Sequence, residues 1–117
     1  MATGALFIGW QDIKAGREAK ALEIFQYAVE FWGKKQAEKK IESFEPVLLQ
    51  PYGGSLIGYF LVRGEPTALD AIRSSDEFAD LEARCMHAVH GLVVTRGRIN
   101  EGVKQFLQTW QKNIPAK

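Results

Sequence analysis

The sequence predicts an α+β fold: a βαββαβ chain with helices on one face of an antiparallel sheet, followed by a C-terminal helix. Three observations carry that prediction. Apolar runs of strand length lie at 5–10, 55–63 and 92–99. Between them, residues 17–39 and 66–89 repeat their apolar side chains at helical spacing. A Gly53-Gly54 pair separates two apolar stretches, the sequence mark of a hairpin.

Taken in order, ALFIGW (5–10) is almost wholly apolar, as expected of a strand covered on both faces. From Arg17 to about Lys39 the residues are strong helix formers. Ala21, Ile24, Ala28 and Phe31 share one stripe, with Leu22, Phe25, Val29 and Trp32 beside it. Residues 41–52 form the second strand, and Pro46 and Pro51, which lack a donor N–H, assign it to a sheet edge or a bulge. SLIGYFLVR (55–63) is the third strand, with Leu56, Phe60 and Val62 on one face and Ile57, Tyr59 and Leu61 on the other. Pro66 suits the first turn of a short helix carrying Leu69 and Ile72. Ser74 with Glu77 matches a capping box opening the next helix, whose stripe is Phe78, Leu81, Cys85 and either Ala88 or Val89. Gly91 ends that helix and LVVTRGRI (92–99) follows as the fourth strand. Asn100 is placed to cap a last helix with Val103, Phe106, Leu107 and Trp110 at helical spacing, stopped by Pro115.

At 117 residues, with 46% apolar and 25% charged residues, the chain has the size of one domain, residues 1–117. A formal charge of +1 gives no electrostatic footprint for nucleic acid, and the glycine-aromatic signature of single-strand RNA readers is missing from the third strand. No apolar run reaches about 18 residues and no signal-peptide pattern opens the chain, so no membrane contact is expected and the cytoplasm is the default location. The lone Cys85 excludes an intrachain disulfide framework. Cys85 and His87 stand two positions apart on a helix, about 200° around its axis, so Cys85, His87 and His90 are not read as a metal site, and no cofactor is assigned. Phosphate-loop, GxGxxG, nucleophile-elbow and paired-carboxylate motifs are absent.

A monomer of this layout leaves one sheet face open to water. Both faces of the first and third strands are apolar, so the sequence predicts a homodimer packed sheet to sheet. In its order of elements, in the hairpin PYGGSLIGYFLV and in the stretch ALDAIRSSDEFADLEARC, the chain resembles the dimeric α/β-barrel superfamily over roughly residues 5–99. In that superfamily ferredoxin-like subunits pair through their sheets, and the paired short helices look like those of YCII-like and antibiotic-biosynthesis-monooxygenase-like proteins. The resemblance implies a fold shared by cofactor-free monooxygenases, haem-degrading enzymes, isomerases, decyclases and proteins of no known activity. The first strand lacks the His-containing start associated with YCII-like members, so no catalytic residue carries over. Residues 101–113 lie outside the shared core and are a candidate extension of the dimer contact.

With strands running up, up, down and down, Trp10, Asp12, Tyr52, Ser55 and His90 gather at one end of the sheet, and His87 arrives there from the preceding helix. That end is the expected mouth of a small-molecule pocket between sheet and helices. His87 and His90 are the candidate catalytic residues, because imidazole titrates near neutral pH. The alternative reading is of two surface histidines meeting the negative end of a helix dipole. Candidate ligand contacts are Trp10, Tyr52, Tyr59, Phe25 and Trp32, while aromatic residues at such spacing, Phe44 and Phe60 included, also serve simply as core. At the opposite end, Arg63, Arg96 and Arg98 with Lys34 and Lys35 either hold an oxyanion or form a solvated rim paired with Glu42, Glu45 and Glu65.

Two functions follow. One is a homodimer binding a small aromatic or apolar metabolite, with a cofactor-independent monooxygenase-like or isomerase-like activity implied by the resemblance. The other is a non-catalytic binding or assembly module whose aromatics only fill the core.

Overall fold

A computed structural model describes residues 1–116. Strand β1 (Gly4–Trp10) leads to helix α1 (Glu18–Ala37), strands β2 (Ser43–Leu48) and β3 (Gly58–Gly64), helices α2 (Pro66–Arg73) and α3 (Asp76–Ala88), strand β4 (Val93–Arg98) and helix α4 (Glu101–Lys112). The four strands form one sheet in the order β2, β3, β1, β4, with every neighbouring pair antiparallel. This is the predicted α+β class and the predicted order of elements. Pro46 finds its expected place, because β2 is an edge strand, whereas Pro51 lies beyond the end of β2 in the loop that leads to β3.

Strand alternation divides the sheet into two unlike faces. Leu6, Ile8, Phe60 and Val62 point toward the helices, where they meet Ile24, Phe31 and Trp32 of α1, Leu69 of α2, and Phe78 and Leu81 of α3. Trp32, Phe78, Leu6, Leu69 and Val62 are the largest wholly enclosed side chains. Burying one leucine, valine or phenylalanine side chain stabilises a fold by about 1.5–3 kcal/mol. Trp32 stands edge-on to Phe31 at 4.9 Å and tilts against Phe78 at 6.0 Å, which anchors α1 to α3. On the other face Phe7 stacks on Tyr59 with ring centroids 5.0 Å apart, beside the half-buried Leu61 and Val47. The Phe7 ring lies over Gly9, where an added Cβ would come within 2.7 Å of it.

Three local expectations are corrected. The third strand begins at Gly58 rather than Ser55, because Leu49 to Ile57 form a loop closed by the Leu49 N–H donating to the Ile57 carbonyl. Alternation therefore does not extend back past Gly58: Ile57 takes the helix side, while Leu56 lies against Gly9 on the other face. The cap of α3 is Ser75, whose Oγ accepts from the Phe78 N–H at 3.1 Å, whereas Ser74 closes α2 by donating its N–H to the Asp70 carbonyl. Asn100 precedes α4 with a positive φ of 52°, but its side chain does not cap the helix. Its Nδ2 instead donates to the Ala2 carbonyl at 2.8 Å, tying the N-terminal residues to the root of α4.

Helix α4 stands apart from the body. Apart from Gly102, which packs so closely on the Thr3 carbonyl that no Cβ fits, every residue of α4 is exposed. The radius of gyration is 16.2 Å, against about 13 Å for a compact chain of this length. The longest dimension is 56 Å.

Candidate binding pocket

The helix stripes that bury α1 and α3 alternate bulky with small residues, and where small residues face each other space remains. Ala21, Ala28, Cys85 and Ala88 lie on facing parts of α1 and α3 above Ile8 and Phe60. Between them is a cavity of about 450 Å³, a volume typical of small-molecule sites. Trp32 and Phe78 form its closed end. Its wall is an aromatic triangle: Trp10 to Phe25 at 6.3 Å, Trp10 to Phe60 at 6.0 Å, and Phe25 to Phe60 at 5.3 Å. These tilted and edge-on contacts leave ring faces and edges to pack on an aromatic guest. Ile13, Glu18, Leu22, Leu48 and Ile57 complete the lining toward solvent; Leu22 is 60% exposed and Leu48 68%.

Polar chemistry at the cavity is sparse. Glu82 lines it with its carboxylate held by the Arg73 guanidinium in two contacts of 3.2 and 3.3 Å. Arg73 in turn lies over the Phe78 ring. Burial pushes the Cys85 thiol up to about 11, and the nearby Glu82 charge adds to the effect, so at neutral pH it is a thiol and not a nucleophilic thiolate. Among the described residues no buried side-chain nitrogen or oxygen lacks a partner. The lining offers shape and apolar contact rather than charge.

The structure places the sequence-predicted residues in two groups. Trp10, Phe25 and Trp32 line the cavity together, and Phe44 packs against its wall, with its ring 6.5 Å from that of Phe60. Tyr59, Tyr52, His87 and His90 do not line it. Tyr59 belongs to the opposite sheet face, stacked on Phe7. Tyr52 is in solvent, its hydroxyl accepting from the Leu56 N–H at 3.2 Å. The two histidines are exposed, although the chain brings them to the predicted end. The His90 N–H donates to the Asp12 carbonyl and its own carbonyl accepts from Gln11, while the His87 carbonyl accepts from Arg17 Nε. Ser55 is exposed in the loop before β3. Sequence reasoning missed the rim residues Ile13, Leu48 and Ile57, and also Glu82. The available signal was an apolar residue at a turn or strand end with no core position to fill.

The arginine cluster resolves into paired groups. Arg63 pairs with Glu45 at 2.6 Å, Arg96 with Asp70 and the Pro66 carbonyl, and Arg98 lies over the Phe106 ring. Lys35 pairs with Glu77 at 2.8 Å and holds that carboxyl below the usual carboxylate range. Glu42 accepts from the Ala2 N–H at 3.0 Å. Among the described residues no group of three histidine, cysteine or acidic side chains is placed to hold a metal ion, and no helix is long and apolar enough to cross a membrane.

Neither a protein-family model nor a curated protein matches the sequence. Solved structures do match. A dimeric protein of unknown function and ferredoxin-like fold from Bacteroides fragilis aligns over 82% of this chain and 96% of its own, with TM-score 0.59 and 8% identity. The chain has the ferredoxin-like fold. The same ferredoxin-like architecture aligns with hydroxynitrile lyase from Passiflora edulis over 86% of this chain and 97% of that one, with TM-score 0.64 and 12% identity. It also aligns with SnoaB, a cofactor-independent oxygenase from Streptomyces nogalater, over 85% and 93%, with TM-score 0.51 and 12% identity.

Proposed function

We propose that the protein is a homodimer that binds a small aromatic or apolar molecule in the cavity between sheet and helices. The observation that carries this reading is the cavity of about 450 Å³ walled by Trp10, Phe25 and Phe60. An assembly module whose aromatics only fill the core would have closed that space. Dimerisation is supported by the apolar face around Phe7, Tyr59 and Leu61 and by the dimeric Bacteroides fragilis protein of the same fold. The fold similarity to a cofactor-independent oxygenase and a hydroxynitrile lyase makes small organic molecules a natural class of guest. The residues favour binding over acid–base catalysis deep in the cavity: the lining carboxylates are Glu18 at the mouth and the Arg73-paired Glu82, and both histidines face solvent.

The test uses 1-naphthol and a hydroxynaphthoquinone as probes, with tryptophan emission as the readout. Saturable quenching is expected in the wild type. Ala28→Phe, which fills the cavity, should abolish it while circular dichroism stays unchanged. Light scattering should give twice the 13.1 kDa of one chain. Undiminished probe affinity in folded Ala28→Phe would rule out this cavity as the site.

A further inference from the structure

We infer that α4 of one protomer packs over the pocket mouth of a second copy of this chain, so that each pocket is completed by its partner. The inference rests on the dimeric pocket reading and specifies its subunit contact.

Besides the open sheet face, exposed large apolar side chains gather in two main patches. One is the α4 stripe, where Phe106, Leu107 and Trp110 are 40%, 52% and 61% exposed. The other is the pocket rim, where Leu22, Leu48 and Ile57 are 60%, 68% and 36% exposed. Neither patch suits a solitary chain, because contiguous apolar surface of this kind marks an interaction site.

The patches lie at opposite ends of the sheet. Leu48 and Ile57 adjoin the Trp10 end of β1, since Leu48 pairs with Gly58, Gly58 with Trp10, and the Ile57 N–H donates to the Trp10 carbonyl. Helix α4 leaves from Arg98, which pairs with Gly4 at the other end. A helix of 12 residues is about 18 Å long, and α4 carries that length away from the body. Within one chain the stripe does not meet the rim. A two-fold axis that reverses the strand direction of the second copy brings each α4 to the end of the sheet where its partner's rim lies, and a contact formed there is made twice, as a closed isologous dimer requires.

The area fits a second copy. A folded monomer of this mass exposes about 6,400 Å². This chain exposes 7772 Å². The surplus, about 1,400 Å², exceeds the roughly 800 Å² that each partner contributes to a standard interface.

The experiment is disulfide trapping in a Cys85→Ser background. One chain carries Leu107→Cys or Trp110→Cys, and a second carries Leu22→Cys, Leu48→Cys or Ile57→Cys. The chains are mixed, oxidised with copper phenanthroline and separated on a non-reducing gel. A mixed disulfide at twice the chain mass, formed much faster than either self-disulfide, is the expected result. Independently, Leu107→Glu should weaken 1-naphthol binding about tenfold with circular dichroism unchanged. If no pairing cross-links and Leu107→Glu binds the probe as the wild type does, while light scattering still reports a dimer, the α4 contact is overturned and the dimeric pocket stands. If the wild type is monomeric and binds no probe, both readings fall together.

Discussion

Cys85 sits one turn beyond Leu81 on α3, facing the cavity, and its setting governs its chemistry. With its titration raised from 9.0 to about 11, the folded chain holds the thiol proton more tightly than the unfolded chain does. The stabilising contribution is therefore complete below about pH 9 and is lost as pH rises toward 11. Urea denaturation followed across that range should show wild-type stability falling relative to Cys85→Ala. Iodoacetamide at pH 7.5 should modify the folded chain at least about tenfold more slowly than the urea-unfolded chain; equal rates would show that the thiol is in water. The position of Cys85 on the Phe78 and Leu81 stripe was legible in the sequence, because helical spacing fixes which side chains share a face. The direction of His87 and His90 was not. After Ala88 the chain becomes a pairing partner of the segment beyond β1, with Ile13 bridged to Val89, and no spacing rule reveals a contact between segments so distant in sequence.

Among the elements, α3 shows how small a shift separates the predicted boundary from the real one. Ser74 and Ser75 are both plausible caps, and the box formed by Ser74 with Glu77 favoured the first. The tertiary fold decides for Ser75, because Ser74 is already engaged in finishing α2. Ser75 also donates its hydroxyl to the Ile72 carbonyl at 2.7 Å, so one side chain secures the end of α2 and the start of α3. Ser75→Ala should cost about 1–2 kcal/mol of unfolding free energy, whereas Ser74→Ala should cost a few tenths at most. Thermal denaturation of the two variants side by side checks this, and equal losses would contradict the assignment. The strands were legible where alternation is strict, as in GYFLVRG, and misjudged where a loop interrupts it, as at Leu56 and Ile57. Lys35 and Glu77 join α1 to α3, yet with the carboxylate largely in water their pair adds little to the stability of that contact.

At the scale of the whole molecule, the sequence made the sheet, its helix-covered face and its end-to-end polarity readable, because the βαββαβ order of elements is that of a split βαβ sheet. It led to a pocket between sheet and helices with its mouth at the Trp10 end, but not to the extent of the cavity, since a void depends on which small residues of α1 meet which small residues of α3. The backbone pairing around the pocket mouth is unequal. Past Trp10 the chain stays paired: Gln11 donates to His90, His90 to Asp12, and Lys14 to Ala88. The pocket mouth therefore has a laced side, where β1 continues against the end of α3, and a loose side formed by Leu49–Ile57, in which Gln50 to Ser55 are exposed. Local opening is cheapest where few backbone groups are held. Hydrogen–deuterium exchange should find the amides of Gln11, Lys14 and His90 slow and those of Tyr52 to Ser55 fast, and reversal of that order would refute the assignment. On the proposed binding reading, a guest would enter and leave past the glycine pair, and the breathing of that loop rather than the sheet would set its residence time.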